Sequence, residues 1–144
     1  MKKLLLILPV MLLLFFVAAK NNEAPKEGIA FFKGSWKDAV AKAKKENKPI
    51  FLDIYATWCG PCKLLHKNTF SDKAVAEFYN KSFINVTLDG ELGDGEVLAN
   101  KYRIQGYPAL LFFNKDGNPV INTAGYSGPD DFLQLGYQAI QKSK

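Results

Sequence analysis

The sequence predicts an α/β fold, a central mixed β-sheet flanked by helices on both faces. Three observations carry that expectation. Strand-length apolar runs alternate with segments of helical spacing in the order β-α-β-α-β-α-β-β-α. Ile50-Phe51-Leu52-Asp53-Ile54-Tyr55 is almost continuously apolar, as a strand buried on both faces requires. Ala109–Phe113 and Val120–Thr123 flank Lys115-Asp116-Gly117-Asn118, and an Asp-Gly pair between apolar runs signals a hairpin.

In chain order, Ile29–Phe32 is short and apolar and reads as a first strand. Ser35 can cap the helix that follows, where Trp36, Ala39, Val40 and Ala43 form the inner stripe. Trp36 is therefore expected in the core, and Lys42, Lys44, Lys45 and Lys48 on a solvated face. Pro49 stops this helix before the central strand, in which Asp53 is the anomaly, a carboxylate among residues that predict burial. A helix begins near Cys59 and runs to about Asn68. Ser71 caps a further stretch with Ala74, Val75, Phe78 and Tyr79 on one face. Ser82–Leu88 reads as a strand, Asp89–Glu96 as a glycine-rich acidic loop, and the residues through Tyr102 as a short helix. Pro129 can start a last helix whose inner face carries Phe132, Leu135, Gly136, Ala139 and Ile140.

The 144 residues suffice for one domain and are too few for two comfortable ones. A hydrophobic share of 48%, with 13% aromatic, argues for a packed core and against disorder. The net charge is +5, and Lys2 and Lys3 supply two of those charges. The remaining excess is scattered, which argues against a dedicated nucleic-acid surface. Two cysteines can neither build a disulfide-rich scaffold nor fill a four-thiolate zinc site.

Lys2 and Lys3 form a positive n-region, Leu4–Phe16 an apolar h-region broken once by Pro9, and Val17-Ala18-Ala19 offers small residues for a signal peptidase. Residues 1–19 are expected to be a signal peptide, with an uncleaved anchor as the alternative; the apolar run falls short of the roughly 20 residues that span a bilayer. Residues 20–27 turn polar and read as a linker. The working domain is then 28–144, exported and expected in the periplasm.

Chemistry is expected at Cys59-Gly60-Pro61-Cys62. Two thiols at this spacing at a helix start can close a disulfide with little backbone movement. The first lies where unpaired backbone N–H groups and the helix dipole favour an anion, which stabilises its thiolate. Pro61 suits a first helical turn, where its missing N–H costs nothing. Cys59 is expected to be exposed and to alkylate faster than Cys62. Plainer readings stand beside this one. The pair could be a structural disulfide, although a bridge over so short a loop adds little stability. It could be half of a metal site with His66, but no fourth ligand is evident and no metal is expected. Haem attachment needs a histidine directly after Cys62, where Lys63 stands. His66 itself reads as an ordinary helix-surface residue. An EF-hand count from Asp89 puts Gly93 at a ligand position and Asn100 where a glutamate belongs, so that loop reads as solvated.

Ile54-Tyr55-Ala56-Thr57-Trp58-Cys59-Gly60-Pro61-Cys62-Lys63 resembles the active-site segment of the thioredoxin family. Asp53 falls where that family carries a buried acid, Gly106-Tyr107-Pro108 resembles its cis-proline loop, and Gly125 falls in its late groove-lining loop. The resemblance covers 28–144. Lys67-Asn68-Thr69-Phe70-Ser71-Asp72, with the export signal, is more similar to the extracytoplasmic branch, which includes the C-terminal domains of membrane thiol-disulfide interchange proteins. One departure is Asn85, near where cytoplasmic members often place a lysine beside the buried acid.

The resemblance implies a thioredoxin-like fold and an exported reductase of protein disulfides. Cys59 would attack the substrate disulfide, Cys62 would resolve the mixed disulfide, and Asp53 would move the proton to or from Cys62. The alternative of Asp53 as a satisfied core acid stays open. Trp58, Gly60, Pro61, Tyr107, Pro108, Gly125 and Tyr126 would form the surface for an extended substrate. No cofactor is implied. The expected partners are protein disulfide substrates and a membrane thiol-disulfide electron donor, with no nucleic acid, and with membrane contact only if the N-terminal segment is retained; a monomer is expected. A dedicated reductase for cytochrome c maturation is the alternative enzyme, and a non-turnover binding module of the same fold the alternative class.

Overall fold

The computed structural model describes residues 28–144. The signal segment and linker expected over 1–27 lie outside the described residues. No helix among the described residues is long and apolar enough to cross a membrane.

The sheet has four strands, β1 (Ile50–Tyr55), β2 (Ile84–Asp89), β3 (Ala109–Phe113) and β4 (Pro119–Ala124), in the order β2-β1-β3-β4. β1 pairs parallel with β2 and antiparallel with β3, and β3 pairs antiparallel with β4, so the sheet is mixed as expected. Alternate residues of the two central strands feed two cores. Leu52, Ile54, Leu111 and Phe113 pack with Ala39 and Ala43 of α1 (Trp36–Glu46) and Leu98 of α4 (Gly93–Lys101). Phe51, Leu110 and Phe112 pack on the other face with Val75 and Tyr79 of α3 (Lys73–Ser82) and Phe132 and Ala139 of α5 (Pro129–Lys142). Burial on both faces explains why β1 and β3 carry almost no polar residues.

Local signals set most boundaries. Ser35 Oγ accepts the Asp38 N–H and the Asp38 carboxylate accepts the Ser35 N–H, a capping box that starts α1. Trp36 packs edge-on against Phe113 at 4.9 Å, the core role expected of it. α1 ends at Asn47, which adopts a left-handed conformation with φ 54°, before Pro49 is reached.

Four expectations are corrected. Ile29–Phe32 is not a strand: its N–H groups go to Phe70 O, Asn80 Oδ1 and Asn85 O, three separate elements rather than one ladder. The cap of α3 is Asp72, not Ser71, its carboxylate accepting the Val75 N–H at 3.0 Å. The acidic loop is shorter than Asp89–Glu96, because α4 begins at Gly93. Gly95 permits that early start, since a Cβ there would lie 1.9 Å from Asp89 O. The helix after Cys59 changes pitch: α2 (Gly60–Leu64) runs into a π-helical turn, Leu65–Phe70. Thr69 in that turn is buried and donates to Ser127 O at 2.6 Å, tying the turn to the loop after β4.

Candidate active site

β1 delivers its C-terminal end to the start of α2, and there Cys59 and Cys62 form a disulfide. Cys59 is the N-cap of α2, and its sulfur accepts the Cys62 N–H at 3.1 Å. Pro61 sits in the first turn, as expected. Cys59 is not exposed, however; it is 2% accessible and Cys62 3%. Both cysteines lie in a small apolar cluster with Ala56, with Tyr55 and Tyr107 packed against it.

The expected substrate surface assembles around this pair. Trp58 is 66% exposed, and its indole Nε1–H donates to Glu91 Oε1 at 3.0 Å. Its ring meets Tyr107 edge-on at 6.0 Å. The Tyr107–Pro108 bond is cis, and Pro108 O accepts the Gly125 N–H at 2.8 Å. Gly125 has φ +98°, a conformation that favours glycine. Gly60, Pro61 and Tyr126 are exposed beside these loops. Burial, and then the nearby carboxylates of Glu91 and Asp89, raise the Tyr107 phenol above its ordinary pKa. The acidic loop thus buttresses Trp58 and Tyr107, a role its composition alone did not indicate.

Asp53 is fully buried. Its Oδ2 accepts the Thr87 hydroxyl at 2.9 Å and lies 2.9 Å from His66 Nε2. Oδ1 is buried with no hydrogen-bond partner among the described residues. His66 is therefore not an ordinary surface residue, because its ring reaches the buried carboxylate of β1. Phe70 packs edge-on at 4.7 Å and Phe31 stacks at 5.8 Å to hold it there. Asn85 is not the neighbour of Asp53 either. The β1–β2 register sets Asn85 opposite Phe51 and Thr87 opposite Asp53, and Asn85 Nδ2 instead donates to Tyr79 O at 3.1 Å. Thr87 was missed because only the register identifies it. An apolar groove of about 570 Å³, lined by Tyr55, Thr57, Cys62, Lys63, His66 and Lys67 among others, opens beside the pair.

Residues 36–140 match the family model described as a thioredoxin-like domain. The chain belongs to that family. A thiol:disulfide interchange protein DsbD of Yersinia pestis (strain Pestoides F) is 33% identical over 95 residues, covering 64% of this chain and 16% of that protein. The chain thus matches only a small part of these much longer relatives. A solution structure of a candidate disulphide-isomerase from Bacteroides thetaiotaomicron is 38% identical, with a TM-score of 0.72 over 82% of this chain and 98% of that one. The reduced C-terminal domain of DsbD from Neisseria meningitidis is 26% identical, with a TM-score of 0.60 over 72% and 92% of the two chains. The Cys59–Cys62 pair is thus the Cys-x-x-Cys of a thioredoxin-like domain.

Proposed function

We propose that this chain is an exported reductase of protein disulfides that works through Cys59 and Cys62. The observation that carries the reading is Cys59 at the N-cap of α2, its sulfur already accepting a backbone N–H. In the dithiol form the same N–H and the helix dipole stabilise a Cys59 thiolate, the nucleophile for a substrate disulfide. Attack joins Cys59 to one substrate sulfur and releases the other as a thiolate. Cys62 then gives its proton to Asp53 and displaces the second substrate sulfur, which restores the Cys59–Cys62 bond and leaves the substrate reduced by two electrons. Trp58, Gly60, Pro61, Tyr107, Pro108, Gly125 and Tyr126 form the surface on which an extended substrate chain lies. The Gly-Pro spacer resembles reducing members of the family, and the N-terminal pattern of Lys2 to Ala19 supports export to the periplasm. Resemblance to part of a thiol:disulfide interchange protein supports a membrane thiol-disulfide donor that returns the electrons.

Cys62→Ser should accumulate mixed disulfides with other proteins on a non-reducing gel, because serine cannot displace the captured sulfur. Cys59→Ser should accumulate none. Equal capture by the two variants would overturn this mechanism and favour a structural disulfide.

A further inference from the structure

We propose that His66 is the proton conduit between buried Asp53 and solvent. This rests on the reading of Asp53 as the proton acceptor of Cys62. Asp53 is fully buried, so a proton it receives cannot leave directly to water. Among the described residues, two side chains reach its carboxylate by hydrogen bond, Thr87 and His66. A threonine hydroxyl does not accept and hold a proton near neutral pH, whereas histidine does. His66 bridges the two environments: Nε2 is 2.9 Å from Asp53 Oδ2, while the side chain is 40% exposed. It lines the same groove as Cys62, and its Nδ1 makes no hydrogen bond to the described residues.

The relay balances over a full cycle. When Cys62 attacks the mixed disulfide, its thiol proton passes to Asp53. The proton moves on to Nε2 of a neutral imidazole, and the imidazolium releases a different proton from Nδ1 to water in the groove. When a donor later reduces the Cys59–Cys62 bond, the Cys62 thiolate needs a proton and the sequence runs backward. Nδ1 takes a proton from water, Nε2 returns one to Asp53, and Asp53 returns one to Cys62. Each half-cycle restores the tautomer that the other requires, with no rotation of the ring. His66 never touches the substrate and acts through Asp53, as a positioning residue for its proton.

The relay makes the resolving step pH-dependent in a particular way. An imidazole that already carries hydrogen on Nε2 cannot accept from Asp53, so the rate of resolution should respond to pH through His66. The other groups that face the ring are few. Asp53 and Tyr55 come from β1, Lys63 and Lys67 lie on the rim of the groove, and the segment before α1 contributes only the uncharged Phe31.

The test uses the reduced protein with oxidised glutathione, acid quench, and mass measurement of the Cys59–glutathione adduct. Formation of the adduct reports Cys59, and its decay reports the attack by Cys62. His66→Gln should form the adduct at the wild-type rate and resolve it about a hundredfold more slowly at pH 7.5, a loss at the low end of general acid–base contributions. It should also show a flatter dependence of resolution rate on pH than wild type when both are measured from about pH 5 to 8. Added imidazole should restore resolution in His66→Ala, which no packing role would predict. Wild-type resolution by His66→Gln across that range, or no response of His66→Ala to imidazole, would overturn the relay. Asp53→Asn separates the layers. If it resolves slowly while His66→Gln does not, only the relay falls; if it resolves at the wild-type rate, the role of Asp53 falls and the relay with it.

Discussion

A buried carboxylate is costly unless hydrogen bonds reach it, and at Asp53 the two that do come from different elements and meet at one oxygen, Oδ2. The Thr87 hydroxyl donates from the neighbouring strand, and His66 Nε2 approaches to 2.9 Å from the π-helical turn. Thr87→Val keeps the β-branched shape and removes the hydroxyl, leaving Oδ2 with His66 as its one partner. Loss of a hydrogen bond to a buried acid costs about 1.5–3 kcal/mol. Urea melts of Thr87→Val should show that loss, with an unchanged slope because the surface exposed on unfolding stays the same. A variant within error of wild type would mean that the hydroxyl contributes nothing net to holding the acid.

Between elements, Tyr79 anchors the α3–α5 contact beside the Phe78–Tyr137 ring pair at 4.4 Å. Tyr79 stacks on Phe132 at 4.3 Å with the rings 8° from parallel, and its hydroxyl donates to Phe132 O at 2.7 Å. Burial pushes the Tyr79 phenol well above the ordinary tyrosine range. The folded state therefore keeps this proton at alkaline pH values where the unfolded chain has released it. Its contribution to stability is complete below the unfolded pKa of about 10 and declines as pH rises past it. Tyr79→Phe should thus be about 1 kcal/mol less stable than wild type at pH 7, from the lost hydrogen bond. The gap should narrow above pH 10, since the variant lacks the ionisation that destabilises wild type there. Denaturant melts at pH 7, 9 and 10.5 test this, and a constant gap would contradict it.

At the scale of the molecule, the redox centre is separate from what holds the fold together. Two apolar cores, one on each face of the sheet, contain the large buried side chains, and the cysteines belong to neither. Closing a loop as short as Cys59–Cys62 contributes about 2 kcal/mol at most. Reduction should therefore leave a cooperative thermal transition, shifted by a few degrees, in circular dichroism melts with and without dithiothreitol. Loss of the transition on reduction would make the bond structural. A fold that survives both states can cycle between them, which is what a turnover enzyme needs.

The sequence by itself determined the architecture and the pairing of the two cysteines, because those depend on local spacing. The continuous apolar run Ile50–Tyr55 requires cover on both faces, Asp116-Gly117 requires a turn, and Pro129 starts a helix wherever its surroundings lie. Cys59 and Cys62 reach one another because two residues and one helical turn separate them. Contacts made across the fold were not legible in this way. Ile29–Phe32 had the composition of a strand but found its partners on Phe70, Asn80 and Asn85. The partners of Asp53 needed the parallel register to bring Thr87 alongside and the packing of the helix after Cys59 on β1 to bring His66 to it. Only the tertiary structure decided these pairings, since hydrogen bonds between residues distant in the chain depend on how whole elements pack and not on the spacing within any one of them.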